Sequence, residues 1–166
     1  MKYNDTEYLV DRFLDDMIRL SFVYVKNKED AEDIAQQVFI TYLQKKPVFE
    51  NETHAKNWLC RVTVNKSRNF ARNVHTNVDF ESLENVLFTA DTEEKTKDDE
   101  QERVLRAVLS LKQEYKEVIH LYYYMDYNTD EIAKLLGTFP STVRSRLARA
   151  RSALEKILKG GNKNDR

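Results

Sequence analysis

Residues 128–158, NTDEIAKLLGTFPSTVRSRLARARSALEKIL, spell a short capped helix, a tight break and a second helix loaded with arginine. Asn128 followed by Glu131 is a capping-box start, Ile132, Ala133, Leu135 and Leu136 supply an apolar face, and Gly137 suits a helix end. Pro140 fits the first position of the next helix. At about 100° per residue, Val143, Leu147, Ala150 and Leu154 fall on one stripe, while Ser145, Ala148, Arg149 and Ser152 lie opposite with Arg144 and Arg151 along one flank. One side packs and the other is small, polar and cationic, the pattern of a helix-turn-helix. Such a face fits a DNA major groove, where arginine binds guanine edges bidentately and small residues allow close approach. A solvated arginine-rich helix is the competing reading.

Around this stretch, the 166 residues suffice for one domain or two small ones with a core that needs no disulfide. A 41% hydrophobic and 33% charged composition reads as folded and soluble. No apolar run approaches the roughly 20 residues that span a bilayer, and the polar N-terminus resembles no secretory signal, so a cytoplasmic protein without membrane insertion is expected. Cys60, the single cysteine, reads as a semi-buried small residue. The net charge of −1 conceals a partition: residues 1–74 carry +1 (12 basic, 11 acidic), residues 75–100 carry −7 (2 and 9) and residues 101–166 carry +5 (13 and 8). Nucleic-acid binding depends on the charge of a face, so the balanced total does not exclude it.

Upstream, three helical patterns are expected. The first runs over about 7–26 with Leu9, Val10, Phe13, Leu14, Met17, Ile18 and Ser21 inward. The second spans about 28–45 after Asn27 as cap, with Ala31, Ile34, Ala35, Val38 and Tyr42 inward, and Pro47 stops it. After a loop over 46–53, the third covers about 54–73 on Ala55, Trp58, Leu59, Val62 and Phe70. Residues 75–98 are acidic and aperiodic, which reads as a flexible linker in which Leu83, Val86, Leu87 and Phe88 form at most a short docking turn. Two further helices precede the helix-turn-helix, one on Val104, Leu105, Val108 and Leu109 and one over 113–124 on Tyr115, Val118, Ile119 and Tyr122. The fold class is all-α: an N-terminal three-to-four-helix bundle and a C-terminal helix-turn-helix domain joined by the acidic linker.

Catalytic chemistry finds no foothold. His54, His75 and His120 sit in no metal-ligand spacing, one cysteine cannot build a zinc site, and three glycines make no phosphate-cradling loop. Pairs such as Asp15–Asp16 are adjacent in sequence and read as solvated. No cofactor, metal or small-molecule substrate is expected; the chain reads as a binding protein. On the second helix, Ile40 projects from a polar face of Glu29, Asp33, Gln36, Gln37 and Gln44. It is either an incidental exposed isoleucine or the centre of a docking surface.

Taken together, these residues resemble the extracytoplasmic-function sigma factors of the sigma-70 family, which direct bacterial RNA polymerase to promoters. DAEDIAQQVF (residues 30–39) is similar to the family's polymerase-gripping region, NWLCRVTVN (57–65) to its promoter-melting helix, and LKQEYKEVIHLYYY (111–124) with the helix-turn-helix to its minus-thirty-five reader. The resemblance implies a region 2-like domain over 1–74, a linker over 75–99, a region 4-like domain over 100–160 and a tail over 161–166. By position it implies that Asp33, Gln36 and Gln37, with Ile40, contact core polymerase. It sets Phe49, Thr53 and His54 in the loop that captures a flipped minus-ten base, with Trp58 and Asn65 in strand separation or base contact. Arg61, Lys66 and Arg68, with Lys56 and Arg72, would track phosphates. For Trp58, simple core packing stands as the other reading. Ser141, Thr142, Arg144, Ser145, Ala148 and Arg149 take the minus-thirty-five positions. An anti-sigma partner is implied too.

Four features depart from the family pattern. Gln37 stands where glutamate is frequent, the capture loop FENETH is more acidic than usual, and Ala55 replaces an aromatic. Phe139 takes the cap position of the last helix, where a small polar residue is better suited, and is expected to pack onto a neighbour or touch DNA. The function expected is a non-enzymatic promoter-specificity factor. The alternative is a polymerase-independent helix-turn-helix regulator, which would ordinarily need a dimer and two half-sites. A helical adaptor with no nucleic-acid role is a third reading.

Overall fold

The computed structural model describes residues 2–73 and 99–164, whose regular elements are all helical, with no strand among them. Two compact units form, one from the elements before residue 74 and one from those after residue 98. The expected linker, with its docking turn at Leu83 to Phe88, lies outside the described residues except Asp99, which opens a helix.

In the first unit a short 3-10 turn (Lys2–Asn4) precedes α1 (Thr6–Val25), α2 (Lys28–Lys45) and α3 (Glu52–Asn73), and the three helices pack on one another. Asp5 caps α1 by accepting from the Tyr8 N–H at 3.1 Å, and Asn27 caps α2 by accepting from Asp30 N–H at 3.0 Å. Both helices end on a lysine in the left-handed conformation, Lys26 (φ 59°) and Lys46 (φ 47°), whose N–H returns to the carbonyl of Phe22 or Tyr42. The inward residues of α2 are buried as expected, and Phe39 joins them. Along α1 the stripe shifts. Leu9, Phe13 and Met17 are buried, Val10, Leu14 and Ile18 are half-buried, and from Leu20 to Val25 every residue is enclosed. Helix α3 starts two residues earlier than its sequence pattern and buries Leu59, Cys60, Thr63, Val64 and Ser67, leaving Trp58, Val62 and Phe70 half-buried. Cys60 is thus fully buried rather than semi-buried. Polar residues line part of this seam: the Thr63 hydroxyl lies 2.7 Å from the Leu59 carbonyl, and the Ser67 and Ser21 hydroxyls meet at 3.2 Å.

The second unit holds α4 (Asp99–Leu109), α5 (Gln113–Ile119), α6 (Thr129–Leu136) and α7 (Pro140–Asn164), with α7 contacting the other three. The helix expected over 113–124 is not one α-helix: it widens into a π-helix over His120–Tyr124. Beyond it, Tyr127 N–H reaches back to the Leu121 carbonyl at 3.1 Å. The capping box of α6 is complete, with Glu131 N–H to Asn128 Oδ1 at 2.9 Å and Asn128 N–H to Glu131 Oε1 at 3.0 Å. Gly137 closes α6 at φ 68°, a conformation that a side chain would strain. Helix α7 continues through Gly160 to Asn164, so the six-residue tail expected at 161–166 is helical for most of its length.

Candidate nucleic-acid interface

Two surfaces answer to the expected DNA contacts, one in each unit. In the first, residues 46–51 form a loop that closes on the unit's own core. Asn4 clasps it: its side-chain amide donates to the Phe49 carbonyl at 3.0 Å and accepts from the Phe49 N–H at 2.7 Å, satisfying both backbone groups of that residue. The Tyr42 hydroxyl in turn donates to the Asn4 carbonyl at 3.0 Å. The Phe49 ring stacks on Tyr42 (centroids 5.9 Å apart), meets His54 edge-on at 5.3 Å and tilts against Trp58 at 5.9 Å. Such aromatic packing stabilises beyond area burial by about 0.5–1.5 kcal/mol per pair.

This geometry corrects one expectation. Phe49 is only 2% exposed, so its ring is committed to the core and offers no face to an unstacked base. Its role is to hold the loop. Thr53 and His54 are exposed beside it, Trp58 is half-buried, and farther along α3 Arg61 and Asn65 are exposed while Lys66 and Arg68 are half-buried. Both the core and the base-contact readings of Trp58 therefore keep a share, one edge packing on Tyr42 and Phe49 while part of the ring stays accessible.

The start of α3 is fixed from two sides. Asn51 Oδ1 accepts from His54 N–H at 2.8 Å, and Glu52 Oε1 receives the Tyr8 hydroxyl at 2.8 Å and Arg12 Nε at 3.1 Å. Hydrogen bonding from Tyr8, reinforced by Arg12, holds the Glu52 carboxyl below its usual range, and the same bond raises the Tyr8 hydroxyl above its own. Glu50 N–H approaches His54 Nδ1 at 3.3 Å, which leaves Nε2 to carry the proton of the neutral ring.

Asp33, Gln36, Gln37 and Ile40 form an exposed band along α2, Ile40 at 41% exposure. Leu43, one turn farther and 50% exposed, extends its apolar part. Its spacing of three from Ile40 puts it on the same side, a signal that the sequence carries.

In the second unit Ser141, Arg144, Ser145, Ala148 and Arg149 are exposed on α7, opposite the buried Val143, Leu147 and Ala150; Thr142 is half-buried. An open cleft flanks this face, lined by Ser141, Thr142, Ser145, Arg146 and Arg149 and walled by Glu114 and Tyr115 of α5. Arg146, Glu114 and Tyr115 are additions: Arg146 lies between the two stripes of the helical pattern, and α5 has no sequence signal linking it to α7. Arg151, expected beside Arg144, is engaged elsewhere. Its Nε donates to the Tyr123 hydroxyl at 2.7 Å and its guanidinium lies 5.5 and 5.6 Å from the Tyr122 and Tyr123 ring centres. Phe139 is 74% exposed, which overturns packing onto a neighbour.

Comparison with known proteins gives the family. Residues 9–75 match the family described as Sigma-70 region 2, and residues 101–154 match that described as Sigma-70, region 4. RNA polymerase sigma factor HrpL of Pseudomonas syringae pv. syringae is 34% identical over 137 residues, which cover 79% of this chain and 74% of the relative. The chain belongs to the sigma-70 family. Within it, the chain is an extracytoplasmic-function member, similar to SigM of Mycobacterium tuberculosis at 27% identity over 140 residues, 84% of this chain and 70% of the relative. Its fold is similar to that of the sigma factor RpoE from Bartonella quintana, solved in complex with the anti-sigma factor NepR. The TM-score is 0.71 at 20% identity, covering 92% of this chain and 96% of that one. Among the described residues no helix is long and apolar enough to cross a membrane, and no cluster of His, Cys, Asp or Glu is arranged to hold a metal ion.

Proposed function

We propose that this promoter-specific, RNA polymerase-binding sigma factor divides initiation between its two units. Asp33, Gln36, Gln37 and Ile40, extended by Leu43, dock core polymerase. Thr53, His54, Trp58 and Asn65 engage the opened minus-ten strand, while Arg61, Lys66 and Arg68 follow its phosphates. Ser141, Thr142, Arg144, Ser145, Ala148 and Arg149 read the upstream duplex. The chain itself does no chemistry; polymerase supplies the catalysis, in the cytoplasm. The observation that carries this reading is the pairing, on one chain, of accessible Thr53, His54 and Trp58 beside a loop anchored by Phe49 with a cationic helix face suited to a groove. The structural relative solved with an anti-sigma factor supports a protein inhibitor for this chain as well.

A polymerase-independent regulator leaves the first unit without a task, although that unit matches Sigma-70 region 2 over residues 9–75. The test is transcription by core polymerase plus the purified protein on a genome-wide template set, with the transcripts sequenced. Start sites sharing an upstream and a minus-ten element are expected; initiation no more selective than that of core enzyme alone would refute the reading.

A further inference from the structure

We propose that Phe139 reads a thymine methyl group at one edge of the upstream duplex element, making it a specificity residue beside the polar and cationic side chains of α7. The inference rests on the reading of α7 as the duplex-contacting helix.

In the free protein Phe139 is a local misfit. Its carbonyl accepts from Val143 N–H at 3.1 Å, which puts it at the N-cap of α7, where a side-chain oxygen would satisfy one of the open N–H groups. A phenyl ring cannot. Helix α6 in the same motif begins with a complete capping box, whereas α7, like α5, begins without a side-chain cap. Nor does burial compensate: at 74% exposure the ring keeps most of its surface in water, while Val143, Leu147 and Ala150 of the same helix are enclosed. Sites that break local rules without a gain in packing are characteristic of function.

The position is also held firmly. Gly137 in its left-handed conformation and Thr138 both donate to the Ala133 carbonyl, Thr138 at 2.9 Å. Pro140 on the other side confines the preceding residue to extended geometry. A ring presented from a fixed backbone loses little freedom on binding.

Chemistry then selects its target. Residues at the start of a recognition helix approach base edges, and Ser141 and Thr142 directly follow Phe139. A hydrocarbon ring has no hydrogen bond to offer. In the major groove the apolar feature that distinguishes one base is the thymine C5-methyl. Arg144, Ser145 and Arg149 meet the polar edges, and Phe139 adds the apolar one.

The experiment uses holoenzyme, core polymerase with this chain, on a promoter that it selects from a library randomised across the upstream element. Each upstream thymine is replaced singly by deoxyuridine and binding is measured for wild type and Phe139→Ala. Removing a methyl group worth about 0.8 kcal/mol when buried corresponds to about fourfold in affinity. Wild type is expected to lose roughly that factor at one position, and Phe139→Ala to be indifferent there while showing unchanged thermal unfolding. Identical deoxyuridine profiles for the two proteins would overturn the proposal, including the case of a sequence-blind sugar contact. So would a Phe139→Ser variant that gains stability and keeps the same promoter preference, the mark of a merely poor cap. If no upstream element is selected and Arg149→Ala changes nothing, the reading of α7 falls and this inference with it. A selected, Arg149-dependent element with identical profiles removes only the role of Phe139.

Discussion

The two units carry their candidate DNA surfaces in opposite ways. In the first, the loop before α3 is part of the core: Phe49 is buried among Tyr42, His54 and Trp58 and its backbone is clasped by Asn4. In the second, the cationic face of α7 lies outside a closed core, with Arg144, Ser145 and Arg149 exposed opposite Val143, Leu147 and Ala150. On the proposed reading, the loop before α3 works at the opened strand and is also core, so rigidity and function would be joined there. Duplex DNA needs no opening by α7, and its surface can vary without cost to the fold. Substitutions in the loop before α3 should therefore move stability and activity together, and substitutions on the exposed face of α7 should move binding alone.

The largest test of this contrast is Phe49→Ala, which should cost about 3–5 kcal/mol of stability in denaturant unfolding and abolish promoter opening. A cost below about 1 kcal/mol would mean that the loop is not part of the core. Next, Arg149→Ala should weaken binding to the upstream element by about 1–3 kcal/mol. Its unfolding should stay within about 0.5 kcal/mol of wild type, as for other exposed positions; a coupled loss of stability would erase the contrast. Smaller again, Asn4→Ala removes two hydrogen bonds and should destabilise by about 1–2 kcal/mol. Permanganate reactivity of minus-ten thymines should fall while upstream binding holds.

The weakest effect concerns pH. Because Tyr8 holds the Glu52 carboxyl below its ordinary value of 4.5, this contact contributes fully above that pH and is lost as the pH falls through the lower folded value. Tyr8→Phe should return the Glu52 titration, followed by NMR, towards 4.5 and flatten that acid limb. An unmoved titration would show that Arg12 alone sets it.

What the sequence makes legible follows from what is local. The caps at Asn27 and Asn128, the left-handed Gly137 and the alternation of faces on α2 and α7 all depend on neighbours within a turn or two, and each has its structural counterpart. The clasp between Asn4 and Phe49 spans 45 positions and follows no periodicity, so Phe49 reads from sequence as a free loop aromatic. Likewise the widening of the helix over His120–Tyr124 breaks a regular pattern of apolar and aromatic residues that gives no warning of it. The band on α2 was visible through Ile40, whereas the cleft wall of Glu114 and Tyr115 needs α5 and α7 to be brought together.

The capture of Arg151 by Tyr122 and Tyr123 bears on ionic strength. Binding to duplex weakens with salt in proportion to the phosphates neutralised, with a slope near −0.9 for each. The Arg151 guanidinium, bonded through Nε to the neutral Tyr123 hydroxyl and lying against two rings, keeps its charge and is held in one orientation. Its remaining N–H groups can still meet a phosphate, and a side chain already ordered against two rings loses less freedom in doing so. The salt dependence of the second unit should then count Arg151 with its other arginines, and Arg151→Ala should lower the slope by about 0.9.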